Sequence, residues 1–416
     1  FATRIDHLRD EHRRFTLTNK DFRLINPNTQ TCPIFRTQYD AELTKKIYRR
    51  VPVLINETTG ENPWGISFLA MFHMSNDSHL FRTQLQLEEK GFELVSNKFV
   101  KDDETWMPLY EAKMVWQFDH RFAHAEKSKR GRRIRGTSIR IKEDQHRFSD
   151  YVAQPRYWVA KTEVNNRLPQ SVKWLIGFRN VTGTVTNVRT AIFSLLPLVG
   201  VGHSMPIMFC ENVTSFHIAC LLANISGLVF DFCVRQKLGG INMTYNFVKQ
   251  FPVLSPTGYK ENEQSFIVPR VLELVYTAWD MKPFADDVWR EADKELRELL
   301  KKQWEESRNA TGGHSNHKPP EWVEVAEDGI PFPPFKWDED RRAILRAELD
   351  AYFARLYVLN EEELRYILDP TDIFGDEYPG ETFRVLKEKE IKEYGEYRTR
   401  RLVLEAWEQM KKGQDE

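Results

Sequence analysis

The chain reads as an α+β protein, with a β-rich, irregular domain followed by a mainly helical region. Three observations predict this. Short runs of aromatic and β-branched residues recur between 51 and 202, separated by turn residues. From about 270 onward the apolar residues instead recur at helical spacing. The charge also changes sign: residues 1–280 carry 37 Lys+Arg against 28 Asp+Glu, and residues 281–416 carry 23 against 33. A net charge of −1 therefore conceals a basic body and an acidic C-terminal part. A length of 416 residues predicts two to three domains, and 41% hydrophobic content excludes global disorder.

Residues 1–30 are polar, and the text opens at Phe1 in mid-pattern. They read as a lead-in from a longer protein whose N-terminal part is missing here. Residues 31–255 form the predicted β-rich domain. A short helix over 40–48 should stop before Val51-Pro52, because a residue preceding proline disfavours the helical conformation. Strand-like text follows at 51–55, 66–74, 106–118, 156–160, 172–181 and 188–202. Between 127 and 147 nine Lys+Arg face two acids, without periodicity and with Gly131 and Gly136, which predicts a mobile basic loop.

A helix is predicted over 214–237, ending at Gly239-Gly240. Its 216–234 portion is apolar enough to raise a membrane span. However, His217, Asn224 and Asp231 recur every seven residues and make one polar stripe, as in a core helix. No membrane role is expected, and the expected location is cytoplasmic. Cys32, Cys210, Cys220 and Cys233 match no zinc spacing and read as reduced, buried thiols. Residues 256–337 read as a helical connector with a Pro/Gly-rich linker. Residues 338–416 read as a C-terminal helical region, with an acidic first turn at 338–340, an Asn360 cap on 361–368, and a long helix over 382–412.

Phosphate-cradling glycine loops, a nucleophile elbow and H-E-x-x-H are all absent, so no catalytic or metal residue is assigned. One exception is Glu111-x-Lys113, with Asp102 or Asp103 upstream. It matches half of a Mg²⁺-dependent nuclease site, in which two carboxylates hold the metal and the lysine assists the attacking water. Lys127, Lys129, Arg130, Arg132, Arg133 and Arg135 form a candidate phosphate-binding set. Gln117, His120, Arg121, Arg179, Asn180 and Arg189 carry side chains suited to base edges. They fall at predicted strand ends, where recognition loops project.

Several blocks carry a resemblance. ENPWGISFLAMFHMSNDSHLF (61–81), PLYEAKMVWQFDHRFA (108–123), QPRYWVA (154–160) and WLIGFRNVTGTVTNVRTAIFSLLP (174–197) are four of them. LLANISGLVFDFCVRQKLGGINMTYNFVKQFPVL (221–254), DEDRRAILRAELDAYFARLY (338–357) and ETFRVLKEKEIKEYGEYRTRRLVLEAW (381–407) are the others. Together they resemble the C-terminal target-recognition half of large type IIG-like adenine-specific DNA methyltransferases of restriction–modification and phage-defence systems. The resemblance runs nearly the whole chain and is weakest at 127–150 and 285–330. It implies sequence-specific recognition of double-stranded DNA at 31–255. S-Adenosylmethionine would be the cofactor of the full-length enzyme, with none bound in this chain. The partners it implies are a methyltransferase domain, in the same protein or another chain, and other defence-system subunits. The family's N-P-P-[YF] motif is missing: Asn26-Pro27-Asn28 and Asn62-Pro63-Trp64 match it only in part. Two other readings stay open: a Mg²⁺-dependent nuclease using Glu111 and Lys113, and a protein-interaction scaffold whose basic loop binds an acidic partner.

Overall fold

The computed structural model describes residues 4–125, 138–183, 186–313, 318–379 and 382–415. Its centre is a four-stranded antiparallel sheet in the order Ser67–Leu69, Ile207–Phe209, Trp174–Phe178, Phe193–Pro197. Alternating side chains on these strands enter different cores, as a two-residue period dictates. Ile176, Phe178, Phe193 and Leu195 join a large core made mostly by helices. Leu175, Leu196 and Ile207 join a second core against the other sheet. That sheet runs Phe81–Arg82, Trp158–Ala160, Glu104–Tyr110, Lys98–Lys101, Glu93–Val95, with Gly200–Val201 parallel to Glu104–Tyr110. The result is three layers: helices, sheet, sheet. This is the α+β architecture, strands concentrated early and helices late.

The boundary expected at 255/256 is not a break in packing. The helical core contains Ile25, Ile47 and Leu54 together with Phe353, Tyr366 and Trp407. Buried hydrogen bonds stitch the two parts. Tyr366 bonds Thr37 (3.1 Å) and Asp40 (2.9 Å), and Arg342 donates to the carbonyl of Phe118 (3.0 Å).

The helix predicted over 214–237 is two helices, Ser215–Ser226 and Leu228–Arg235, bent by 53°. The break follows from an outside partner: the Asp350 carboxylate accepts the backbone N–H of Leu228 at 2.7 Å and so caps the second helix. Two of the three stripe residues, Asn224 and Asp231, sit in the core, and His217 is half-buried. Asn224 donates to the Tyr357 hydroxyl (2.6 Å) and accepts from Leu254 N (3.1 Å) and the Tyr259 hydroxyl (3.2 Å). Among the described residues no single helix is long and apolar enough to cross a membrane.

Other elements also differ from expectation. Residues 51–55 are irregular, with Leu54 N and Ile55 N bonded to the carbonyls of Phe251 and Lys249. The expected helical connector contains the separate helices Lys282–Glu291 and Lys294–Ala310, the second capped by Asp293 (2.7 Å to Leu296 N). The helix expected over 382–412 breaks at Gly395, whose φ of +77° is the left-handed conformation that glycine adopts without strain. The helices Glu339–Leu356 and Glu361–Leu368 start where expected, capped by Asp338 and Asn360. Of the thiols, Cys220 and Cys233 are buried, but Cys32 is exposed.

Candidate functional site

The strands Ala123–Ala125 and Ser138–Arg140 form an antiparallel ladder that pairs Ala125 with Ser138. The six cations Lys127, Lys129, Arg130, Arg132, Arg133 and Arg135 belong to the segment joining these strands and lie outside the described residues. The C-terminal part of the expected 127–147 loop is ordered: a strand at Ser138–Arg140, then a short helix at Glu143–His146.

The hairpin stands at one wall of a cleft of about 870 Å³. Arg140 and Lys142 come from the hairpin side, Gln117 and Arg189 from the sheet side, and Arg342, Arg346 and Lys389 from the C-terminal helices. No sequence pattern marks the cleft, because its opposite walls are some 200 residues apart in the chain. The pair Arg342/Arg346 is nevertheless visible as two basic residues four apart in the charge-rich helix Glu339–Leu356.

Five of the six expected base-reading residues have their donors engaged inside the protein, which corrects that expectation. Gln117 is buried and donates to the carbonyls of Ala191 (2.6 Å) and Ser226 (3.2 Å). Buried His120 bonds the Asp280 carboxylate at 2.7 Å. Arg121 has no exposed surface, and its guanidinium donates to the carbonyls of Phe148 (2.9 Å), Tyr151 (2.8 Å), His146 (3.2 Å) and Thr277 (3.0 Å). Arg179 donates to the Val115 carbonyl (3.0 Å) and lies over Trp116 and Phe122. Arg189 pairs with buried Asp231 at 3.2 Å and donates to the Ser226 carbonyl. Asn180 is half-buried, its backbone bonded to Ser204 and Met243. The physical reason is common to most of them. These strand ends turn inside the molecule, under helices contributed by residues 260–400, rather than at its surface.

The seam beneath the cleft is electrostatically tight. Burial raises the Asp119 carboxyl, but the hydrogen bond and charge of His146, with the charges of Arg342 and His120, outweigh it and bring the pKa to about 2. Asp350 behaves in the opposite way: burial, only partly offset by Arg189 and the Leu228 N–H, pushes it up to about 6.

The nuclease-like residues do not assemble. Lys113 pairs with Glu111 at 3.3 Å, and Arg156 approaches the other Glu111 oxygen at 3.8 Å. Asp102 and Asp103 precede the strand Glu104–Tyr110 and Glu111 follows it. At about 3.3 Å per residue the carboxylates stand roughly 25 Å apart, too far to share one metal. Among the described residues no group of three or more His, Cys, Asp or Glu could hold a metal ion.

The partial matches to N-P-P-[YF] do not fit an adenine either. Asn28 is tied to Ile55 O (3.0 Å) and Glu57 N (2.9 Å), and the buried Trp64 indole donates to Leu254 O at 3.0 Å. No family model and no curated protein matches this chain.

Proposed function

We propose that this chain binds double-stranded DNA on the face bearing the 123–140 hairpin, as the target-recognition part of an N6-adenine DNA methyltransferase from a restriction or phage-defence system. S-Adenosylmethionine and methyl transfer would belong to a methyltransferase domain of the same protein or of a partner chain, since Asn28 and Trp64 are committed to packing. Other defence-system subunits would be further partners.

One observation carries the reading. The ladder that pairs Ala125 with Ser138 anchors, at one point of the body, a connecting sequence with six Lys and Arg. Beside it, Arg140 and Lys142 make no ion pair among the described residues. Cations that no internal carboxylate neutralises are available to phosphates, whose contacts position a protein on a duplex. The sequence-reading residues must lie outside the buried set described above.

Fluorescence anisotropy on mixed-sequence duplex DNA over a salt series tests this. The intact chain should bind with a steep salt dependence. Neutralising the six cations should flatten the slope of log K against log salt by about 0.9 for each phosphate that is no longer neutralised. Equal slopes for both proteins, or no duplex binding at low salt, would overturn the reading. Capture of an acidic protein through the same segment, without DNA affinity, would favour the scaffold.

A further inference from the structure

The helix Glu339–Leu356 presents two arginines one turn apart to the cleft. Arg342 is fully engaged: it donates to Leu274 O (2.7 Å) and Phe118 O (3.0 Å) and stacks on Trp337 at 3.6 Å. Arg346 is half-buried and makes no hydrogen bond or ion pair among the described residues. A guanidinium carries five N–H donors, and protein interiors normally satisfy them. Burial lowers the Arg346 pKa, which the charge of Glu339 and, less strongly, those of Asp350 and Glu390 partly offset and Arg189 reinforces, so the charge is held there at a cost.

The surroundings leave room for an anion. Most carboxylates lining the cleft already have partners. Asp119 pairs with His146 (3.3 Å), Asp340 with Arg398 (2.8 Å) and Glu143 with Arg147 (2.9 Å). Asp350 accepts from Leu228 N (2.7 Å), Glu390 from Thr399 N (2.7 Å) and Glu339 from the Trp337 indole (3.3 Å). The remaining lining carboxylate, Glu393, is exposed. Against Glu393, and against Glu339 and Glu390 with their neutral donors, stand Arg346 and Lys389 on the helical side and Arg140 and Lys142 on the hairpin side, none with an ion pair among the described residues. The cleft's size of about 870 Å³ falls within the roughly 300–1,000 Å³ of small-molecule sites. Its wall also includes Trp116, Phe122 and Tyr394, an apolar border suited to a base or sugar.

We propose that this cleft binds the phosphate of a nucleotide, with Arg346 as the anchoring cation and Lys389 as a second contact. Guanidinium geometry matches two phosphate oxygens at once, which a single carboxylate-sized charge does not require. The nucleotide is either an unpaired one within a strand or a free mononucleotide. The anchoring residues, Arg346 and Lys389, are distinct from the six cations of 127–135, and only Arg140 and Lys142 border both sites, so the anchor does not depend on the duplex-binding reading.

Calorimetric titration of the full chain with 2′-deoxyadenosine 5′-monophosphate, deoxyadenosine and inorganic phosphate tests the proposal. The monophosphate should bind and the nucleoside should bind at least tenfold more weakly. Arg346→Gln should weaken the monophosphate about tenfold or more, as expected for a charge-assisted hydrogen bond. Exposed Lys389→Gln should weaken it about three- to fivefold. Arg346→Lys, which retains the charge, should recover part of the loss, while neutralising the six cations of 127–135 leaves it unchanged. Competition by a duplex with one unpaired nucleotide, and not by a fully paired one, assigns the ligand to a strand. Absence of competition by either assigns it to a free mononucleotide. No binding of the monophosphate or of inorganic phosphate at millimolar concentration overturns the proposal. So does equal binding of the nucleoside, or unchanged affinity in Arg346→Gln. Monophosphate binding without duplex binding would remove the DNA reading and keep this site.

Discussion

The seam under the C-terminal helices and the cleft above it are built from the same residue types. In the seam, Arg121, Arg189 and Arg342 aim their guanidinium groups at backbone carbonyls or at buried Asp231. At the cleft, Arg140, Arg346 and Lys389 line open space without such partners. The identity of a cation therefore says little about its role. What distinguishes the two regions is whether neighbouring backbone has already occupied the donors. That difference separates a fold-forming arginine from one available to a ligand.

The strongest break of this comparison is Arg121→Met. It removes the donors that satisfy four carbonyls from two separate segments, 146–151 and Thr277. Loss of so deeply buried a charge, bonded through both terminal nitrogens, is expected to destabilise the fold by about 3–5 kcal/mol. Urea unfolding measures it, and a change below about 1 kcal/mol would show the seam is not what joins these layers.

The seam should also impose a pH dependence with two opposite parts. Asp119 has a folded pKa of about 2, below its unfolded value of about 3.9. Its contribution, about 2–3 kcal/mol, is present above pH 4 and is lost as pH falls through 2. Asp350 has a folded pKa of about 6, above its unfolded value. Its contribution is fully present below pH 4 and is lost as pH rises through 6. Stability should thus rise from pH 7 to 4 and fall below that. Asp350→Asn should abolish the rise and keep the fall, which unfolding curves at pH 7, 5, 4 and 2.5 would reveal.

Gln117→Leu probes the floor of the cleft. It removes donors from Ala191 O and Ser226 O, though Arg189 still serves the latter. The expected loss is about 1–2 kcal/mol in unfolding free energy. A surface reader of bases would show almost none.

Some of this was legible in the sequence. The caps Asp338 and Asn360 mark real helix starts because a side chain and the backbone it caps are neighbours in the chain. Charge density marked 127–147 as basic for the same local reason, but not the strand Ser138–Arg140 or the helix Glu143–His146 within it. The bend at Gly227 was not legible, since its cap, Asp350, arrives from over 120 residues away. Nor was the burial of Gln117, His120 and Arg121, whose partners include Ala191, Asp280 and Thr277. Polarity at a strand end predicts exposure only when nothing later in the chain covers it. The cleft was hidden on the same ground, being a space between segments that the sequence does not place together.

The smallest expected effect sharpens the comparison most. Arg342 and Arg346 share one helix and one cleft, so substituting each by Gln changes helix propensity equally. Arg342→Gln leaves the carbonyls of Leu274 and Phe118 without their donor and uncovers Trp337, and should cost about 2–4 kcal/mol. Arg346→Gln removes a charge that makes no hydrogen bond or ion pair among the described residues, so the unfolding free energy should stay within about 0.5 kcal/mol of the parent or rise. An equal destabilisation of both variants would mean that Arg346 holds the fold. Destabilisation confined to Arg342→Gln, with ligand affinity weakened only in Arg346→Gln, would separate structural and ligand-facing cations across a single helical turn.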